Sequence, residues 1–306
     1  MELGYDKQLY ILAFDHRGSF EKMFGVSGRA PTVEVKRKIT DGKTLIWEGF
    51  QRAVEEGAPK EAAGVLVDAQ YGPQVARAAR EHGYIFAMPV EKSGQNEFDF
   101  EYGADFGAQI EEYDPTFSKV LVRYNPAGDA EMNRRQSERL RRLSDWLHER
   151  DRKFLFELLV PAEEHQLEAV GGDSDRYDAE LRPELMRGAI AELQDAGVEA
   201  DVWKIEGVDQ RADCERIAAQ CRAGGRDGVV CVVLGRGADD DKVDHWLRQG
   251  APVEAYVGFA IGRSIWDNPL KGFIDGSLSR EDAAAQVADN YLRFVDVYVS
   301  AEAPVG

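Results

Sequence analysis

Positive charge is in short supply. The 306-residue chain sets 38 lysines and arginines against 56 aspartates and glutamates, a formal net charge of −18. Nucleic acid and anionic membranes would be repelled by such a surface, so neither is expected as a partner. An anionic small molecule held in a locally basic pocket remains compatible with it. Cysteine is scarce too: Cys214, Cys221 and Cys231 are odd in number and lack a tight metal-ligand spacing. This predicts reduced thiols in a cytoplasmic protein rather than a disulfide framework. The opening MELGYDKQLYILAFDHRG has no basic start followed by a long apolar run, so no signal peptide is expected. No apolar run is long enough to cross a bilayer.

Histidine occurs only five times, and no pair shows HxxH or HExxH spacing, which leaves no zinc cluster to propose. A GxSxG elbow, a P-loop and a GxGxxG fingerprint are likewise missing. Lysine is rare at 12 residues against 26 arginines, so a lysine inside a strand carries information.

What is present is alternation. Eight short apolar segments predict strands at 9–17, 64–72, 84–92, 118–126, 153–161, 200–208, 228–236 and 254–263. Amphipathic segments at 34–56, 73–82, 131–150, 180–196, 210–223, 238–248 and 279–299 predict helices between or after them, the last opening on Ser279 as N-cap. Strand–helix alternation implies a parallel sheet with right-handed crossovers, and eight repeats fit a single (β/α)8 TIM barrel, an α/β fold. No linker or low-complexity tract divides the chain, so residues 1–306 are read as one domain. The stretch VGGDSDRYDAELRP (170–183) predicts a long polar loop, either a cover over a site or a solvated insertion. Val287, Tyr291, Phe294 and Val295 form an apolar stripe on the last helix, which either covers the barrel or meets a second copy in a homo-oligomer.

Charges collect toward the C-terminal halves of the strands: Asp15, His16 and Arg17; Asp68; Glu91 and Lys92; Lys119 and Arg123; Glu157; Lys204 and Glu206; Arg236; Arg263. Barrel active sites form at that face. Side chains alternate across a strand. Lys119 therefore shares a side with Leu121 and Arg123, Glu157 with Leu155 and Leu159, and Lys204 with Val202 and Glu206. If those sides face inward, three neighbouring strands present Lys, Glu, Lys. A carboxylate between two ammonium groups offsets their burial, while crowding and desolvation lower a lysine's pKa and free its amine for attack on a carbonyl. The alternative is a purely structural ion-pair layer. The last two strands end in Gly235–Arg236 and Gly262–Arg263. Glycine admits a ligand close to the backbone and arginine offers a fork to an oxyanion, so this pair predicts a phosphate site.

Several stretches together resemble one family. AFDHRGSFEKMFG, VEKSG, SKVLVRYNP, FLFELLVP, DVWKIEGV and GRSIW are similar, in order and spacing, to motifs of the class I, Schiff-base tagatose-1,6-bisphosphate aldolase group, which includes sulfofructose-phosphate aldolase. They resemble even more the aldolase-like domain fused to the sugar kinase of inositol catabolism. The resemblance covers nearly the whole chain. It implies a Schiff base on Lys204, proton transfer by Glu157, Lys119 keeping Lys204 partly neutral and orienting a substrate oxygen, and Asp15 holding a sugar hydroxyl or the lysine layer. It also implies a phosphate gripped by Arg263 with backbone N–H groups near Gly235 and Gly262. Arg17, Lys92 and Arg236 are then candidates for a second anionic group. No metal or organic cofactor is implied, and the partner is a small-molecule sugar phosphate. His16 stands where tagatose-bisphosphate aldolases have glutamine, and LGRG stands where they have Leu-Ser-Ala-Gly, so the sugar stays open. The candidates are 2-deoxy-5-keto-gluconate 6-phosphate, tagatose or fructose phosphates and sulfofructose 1-phosphate. A transaldolase, and a barrel that binds a sugar phosphate without catalysis, remain as alternatives.

Overall fold

The alternation closes on itself. In the computed structural model, which describes residues 2–26 and 30–302, eight parallel strands run β1 Leu9–Ala13, β2 Ala63–Leu66, β3 Ile85–Pro89, β4 Phe117–Arg123, β5 Lys153–Leu159, β6 Val202–Glu206, β7 Val230–Leu234 and β8 Tyr256–Ile261. They follow one another round a closed barrel, with β1 paired to β8 through Leu9 opposite Gly258. Twelve α-helices are found among the described residues: α1 Gly18–Met23, α2 Val33–Glu55, α3 Pro73–Glu81, α4 Phe106–Tyr113, α5 Ala130–His148, α6 Glu164–Ala169, α7 Ser174–Glu180, α8 Arg182–Asp195, α9 Arg211–Arg222, α10 Asp240–Gly250, α11 Arg263–Asp275 and α12 Arg280–Glu302. This is the (β/α)8 barrel that the repeat of apolar segments predicts.

Two apolar layers hold it. Leu9, Ile11, Phe117, Leu155, Val202 and Val232 lie in a cluster that fills the barrel below the charged residues. A larger layer, with Phe50, Phe156, Trp203, Phe259 and Tyr291 among its members, joins strands to helices. Val287, Tyr291, Phe294 and Val295 of α12 are all buried within the chain itself, so that stripe covers the barrel. Tyr291 Oη donates to Tyr10 O at 2.6 Å and Tyr298 Oη to Tyr256 O at 2.7 Å, tying α12 to β1 and β8. Ser279 caps α12 as expected, accepting from Asp282 N at 3.1 Å.

Two sequence expectations need correction. The strands end two or more residues earlier than their apolar runs suggest; the charged residues that follow β1, β3, β7 and β8 lie beyond the strands and line the barrel mouth. His16 and Arg17, for example, lie beyond β1. The segment 170–183 is not a loop: it contains α7, capped by the Asp173 carboxylate, which accepts from Asp175 N and Arg176 N. Residues after GR at 262–263 are helical as α11, although Pro269 lies inside it. Among the described residues, no helix is long and apolar enough to cross a membrane.

Candidate active site

The C-terminal mouth of the barrel holds a cavity of about 910 Å³. Every candidate site residue named above lines it: Asp15, His16 and Arg17 after β1, Lys92 after β3, Lys119 on β4, Glu157 on β5, Lys204 on β6, Gly235 and Arg236 after β7, Gly262 and Arg263 after β8. Alternation along each strand accounts for the inward set. The ladder brings Glu157 level with Lys204 on one side and with Leu121 on the other, so Lys119 starts two residues lower on β4 and its flexible stem rises to the carboxylate.

One oxygen, Glu157 Oε2, lies 3.0 Å from both Lys119 Nζ and Lys204 Nζ. The expected Lys–Glu–Lys row is therefore an assembled unit. Its two lysines are held very differently. Lys119, 1% exposed, also donates to Asp15 Oδ2 and Glu91 Oε1 at 2.9 Å each. With three carboxylates on three N–H donors, it keeps none for a substrate oxygen. Lys204, 3% exposed, meets Glu157 alone among these acids.

The electrostatics follow the contacts. Burial would lower the Lys119 ammonium, but Asp15, Glu157 and Glu91 outweigh it and raise it above its ordinary value. Burial would raise Asp15 and Glu157, yet Lys119 in each case, with His16 and Lys204 around Asp15 and Lys204 beside Glu157, holds them below the usual carboxylate range. Glu91 goes the other way: its burial outweighs the pull of Lys119 and Arg17, and its Oε2 has no hydrogen-bond partner among the described residues. Burial lowers the His16 imidazole to about 4, so the ring is neutral at neutral pH.

The candidate anion-binding residues separate into two groups. Arg263 opens α11, whose first turn carries no acid and whose first N–H groups have no intrahelical acceptors. Its Nη2 donates to Arg236 O, at 3.1 Å. Gly237, at φ 73°, lets that guanidinium lie across the loop after β7, since a Cβ there would overlap it. A Cβ on Gly262 would overlap Ala13 O, whereas one on Gly235 would meet only ordinary contacts at 3.5 Å. Arg17, Lys92 and Arg236 are already engaged. Arg17 is buried and donates to Glu91 O at 2.8 Å and Glu101 Oε2 at 3.2 Å. Lys92 pairs with Asp99 at 3.0 Å. Arg236, in the left-handed region at φ 54°, pairs with Glu206 at 3.0 Å and with Asp178 of α7. The segment 170–183 thus reaches the rim of the cavity.

Two neighbours of the row take their place only from the fold. Glu91 is visible in VEKSG as a charged strand end, but its tie to Lys119 depends on β3 and β4 being adjacent. Lys43, fully buried on α2, pairs with Asp68 and donates to Phe14 O at 2.7 Å and His16 O at 3.1 Å. It pins the backbone that carries Asp15. The only sequence signal for it was a rare lysine amid the apolar residues of a helix. Among the described residues, no three His, Cys, Asp or Glu side chains are grouped to hold a metal.

Comparison with known proteins adds relatives. The family model described as an uncharacterized protein conserved in bacteria (DUF2090) matches residues 4–302. The chain is 26% identical over 200 residues to tagatose 1,6-diphosphate aldolases of Listeria monocytogenes serotype 4a and of Listeria innocua, covering 64% of this chain and 54% of each of them. It thus spans about half the length of the curated relatives it matches. Among solved structures, fructose-bisphosphate aldolase from Plasmodium falciparum superposes with a TM-score of 0.67 at 12% identity, over 98% of this chain and 93% of that one. A Corynebacterium glutamicum structure gives 0.58 at 16% identity, over 97% and 88%. At those identities the likeness is one of fold.

Proposed function

We propose a function for this chain, which belongs to the DUF2090 family of proteins conserved in bacteria, from the chemistry that its barrel mouth assembles: it is a class I aldolase acting on a ketose phosphate. Lys204 attacks the ketone carbon, and the carbinolamine loses water to give an iminium. The iminium draws the electrons of the bond between the α and β carbons as the β-hydroxyl loses its proton. An aldehyde leaves and an enamine stays on Lys204. Protonation of the enamine carbon and hydrolysis then release dihydroxyacetone phosphate. Glu157 is the acid and base for carbinolamine dehydration, placed 3.0 Å from the lysine. Lys119 holds that carboxylate in place and, with Lys204, keeps it ionised, while Asp15 anchors Lys119. Arg263 and the first turn of α11 take the phosphate.

The observation that carries this reading is the unequal treatment of the two lysines. Lys119 is locked by three carboxylates and is poorly suited to lose a proton. Lys204, with one carboxylate, faces the cavity as the group free to react. The aldolase relatives support the same reaction class. The substrate candidates are 2-deoxy-5-keto-gluconate 6-phosphate, tagatose and fructose phosphates and sulfofructose 1-phosphate.

Borohydride reduction in the presence of dihydroxyacetone phosphate tests it. Peptide mass spectrometry should find the reduced adduct on Lys204, and Lys204→Met should abolish it. Bound ligand with no adduct on Lys204 would overturn the mechanism. Release of free dihydroxyacetone phosphate from a cleaved ketose, with no acceptor aldehyde added, separates an aldolase from a transaldolase.

A further inference from the structure

We infer that Arg123 holds a second oxyanion, on the aldehyde half of the substrate, so that the site selects ketoses with an anionic group at each end. This rests on the aldolase reading above and adds a specificity residue to it.

The inference begins with the cations that line the cavity. Arg17, Lys92 and Arg236 are each neutralised by a carboxylate of the chain, and Lys119 by three. Two arginines are treated differently. Among the described residues, neither Arg123 nor Arg263 has a carboxylate at ion-pair distance. Arg123 Nη1 gives one hydrogen bond, to Gln95 O at 2.7 Å. A guanidinium has five N–H donors in a planar fork suited to carboxylate, phosphate or sulfonate. Most of that fork is unused at Arg123, although the side chain is half-buried and lines the cavity. Leaving a partly desolvated cation without a counter-charge is costly, all the more conspicuous in a chain with so many acids to offer. An anion from outside offsets that cost.

Position assigns the anion to the far end of the substrate. Arg123 ends β4 on the inward face, two alternations above Lys119. Arg263 follows β8. In a closed barrel of eight strands, β4 and β8 stand opposite one another. Lys204 and Glu157, on β6 and β5, lie between them. A substrate bonded to Lys204 with its phosphate at Arg263 directs its other end across the mouth, toward Arg123. Lys22 also lines the cavity, but it is exposed on α1, beside β8 rather than opposite it. It serves as a control.

The experiment is aldol condensation from dihydroxyacetone phosphate with three acceptors: glyceraldehyde 3-phosphate, 3-oxopropanoate and neutral glyceraldehyde. In the wild type, kcat/KM for the better anionic acceptor should exceed that for glyceraldehyde roughly 10- to 100-fold, the range of a charge-assisted hydrogen-bonded pair. Arg123→Gln should bring the ratio to within about 3-fold, mostly through KM, and Lys22→Gln should leave it unchanged. Whichever acceptor is preferred tells phosphate from carboxylate. Arg123→Gln should still yield the borohydride adduct on Lys204, because dihydroxyacetone phosphate has no second anion.

No preference for an anionic acceptor in the wild type, absence of turnover with all three included, would overturn the inference. So would an equal loss on charged and neutral acceptors, or loss of the adduct, in Arg123→Gln, since each marks a structural role. These results leave the aldolase reading standing when the wild type forms its adduct. Failure of the wild type to form the adduct removes both.

Discussion

A lysine that acts as a nucleophile needs a neighbour to exchange protons with and few partners to give up. Lys204 has Glu157 at 3.0 Å and no other acid of the cluster; Lys119, two strands away, is surrounded. The same residue type thus has two fates in one site, decided by how many carboxylates converge on it. His16 belongs to this scale as well. Its imidazole titrates at about 4 in the fold, below the ordinary value of about 6.5. Between those values the unfolded chain takes up a proton that the folded chain refuses, so stability contributed here is lost as pH falls. Thermal melts of the wild type and His16→Gln should therefore converge, or cross in favour of the variant, as pH is lowered from about 7 to about 5. A constant offset between the two would show that His16 does not titrate differently on folding.

At the scale of elements, the end of β1 is set by a helix that makes no contact with the reaction. Lys43 of α2 reaches under Phe14 and His16 and takes their carbonyls, while Asp68 after β2 balances its charge. Replacing Lys43 by Met leaves the Asp68 carboxylate buried without its partner. The expected loss is about 3–5 kcal/mol in urea unfolding, recovered in part by the double change Lys43→Met with Asp68→Leu. Equal losses in single and double variants would mean that packing, not charge, dominates.

The long helices that were legible bury an apolar stripe, and several open on a cap, as with Thr32 before α2, Asp129 before α5 and Asp239 before α10. Shorter ones were not. The only buried residue of α7 is Tyr177 and that of α6 is Gln166, so neither leaves an apolar period to read. The strand ends were overrun for a related reason: an apolar run marks burial, not the last ladder hydrogen bond, and residues such as Asp15 stay buried beyond β1.

For the molecule as a whole, everything depends on closure. The seam between β1 and β8 brings Gly258 against Leu9 so closely that a Cβ would overlap the Leu9 carbonyl, and Gly258 also holds φ at 149°. Gly258→Ala should cost about 3–5 kcal/mol, among the largest effects of a single change. A thermal melt within a degree or two of the wild type would show that the seam relaxes freely. Closure also makes the site, because it sets β4 opposite β8 and places the lysine–glutamate row between the two arginines that have no acid partner among the described residues.

The sequence by itself determined the barrel, its eight inward faces and the membership of the charged mouth. Those depend on periodicity, and the period of a strand or helix is a local property of the backbone. The Lys119–Glu157–Lys204 row was readable for the same reason, since its members sit on consecutive strands. Tertiary structure alone decided which charges are spent and which are free. Arg17, Lys92 and Arg236 are consumed by acids from other loops and Lys119 by Asp15 and Glu91, whereas Arg123 meets none among the described residues. Such pairings join residues far apart in the chain, and only the closed fold sets the distances on which the interaction of two charges depends.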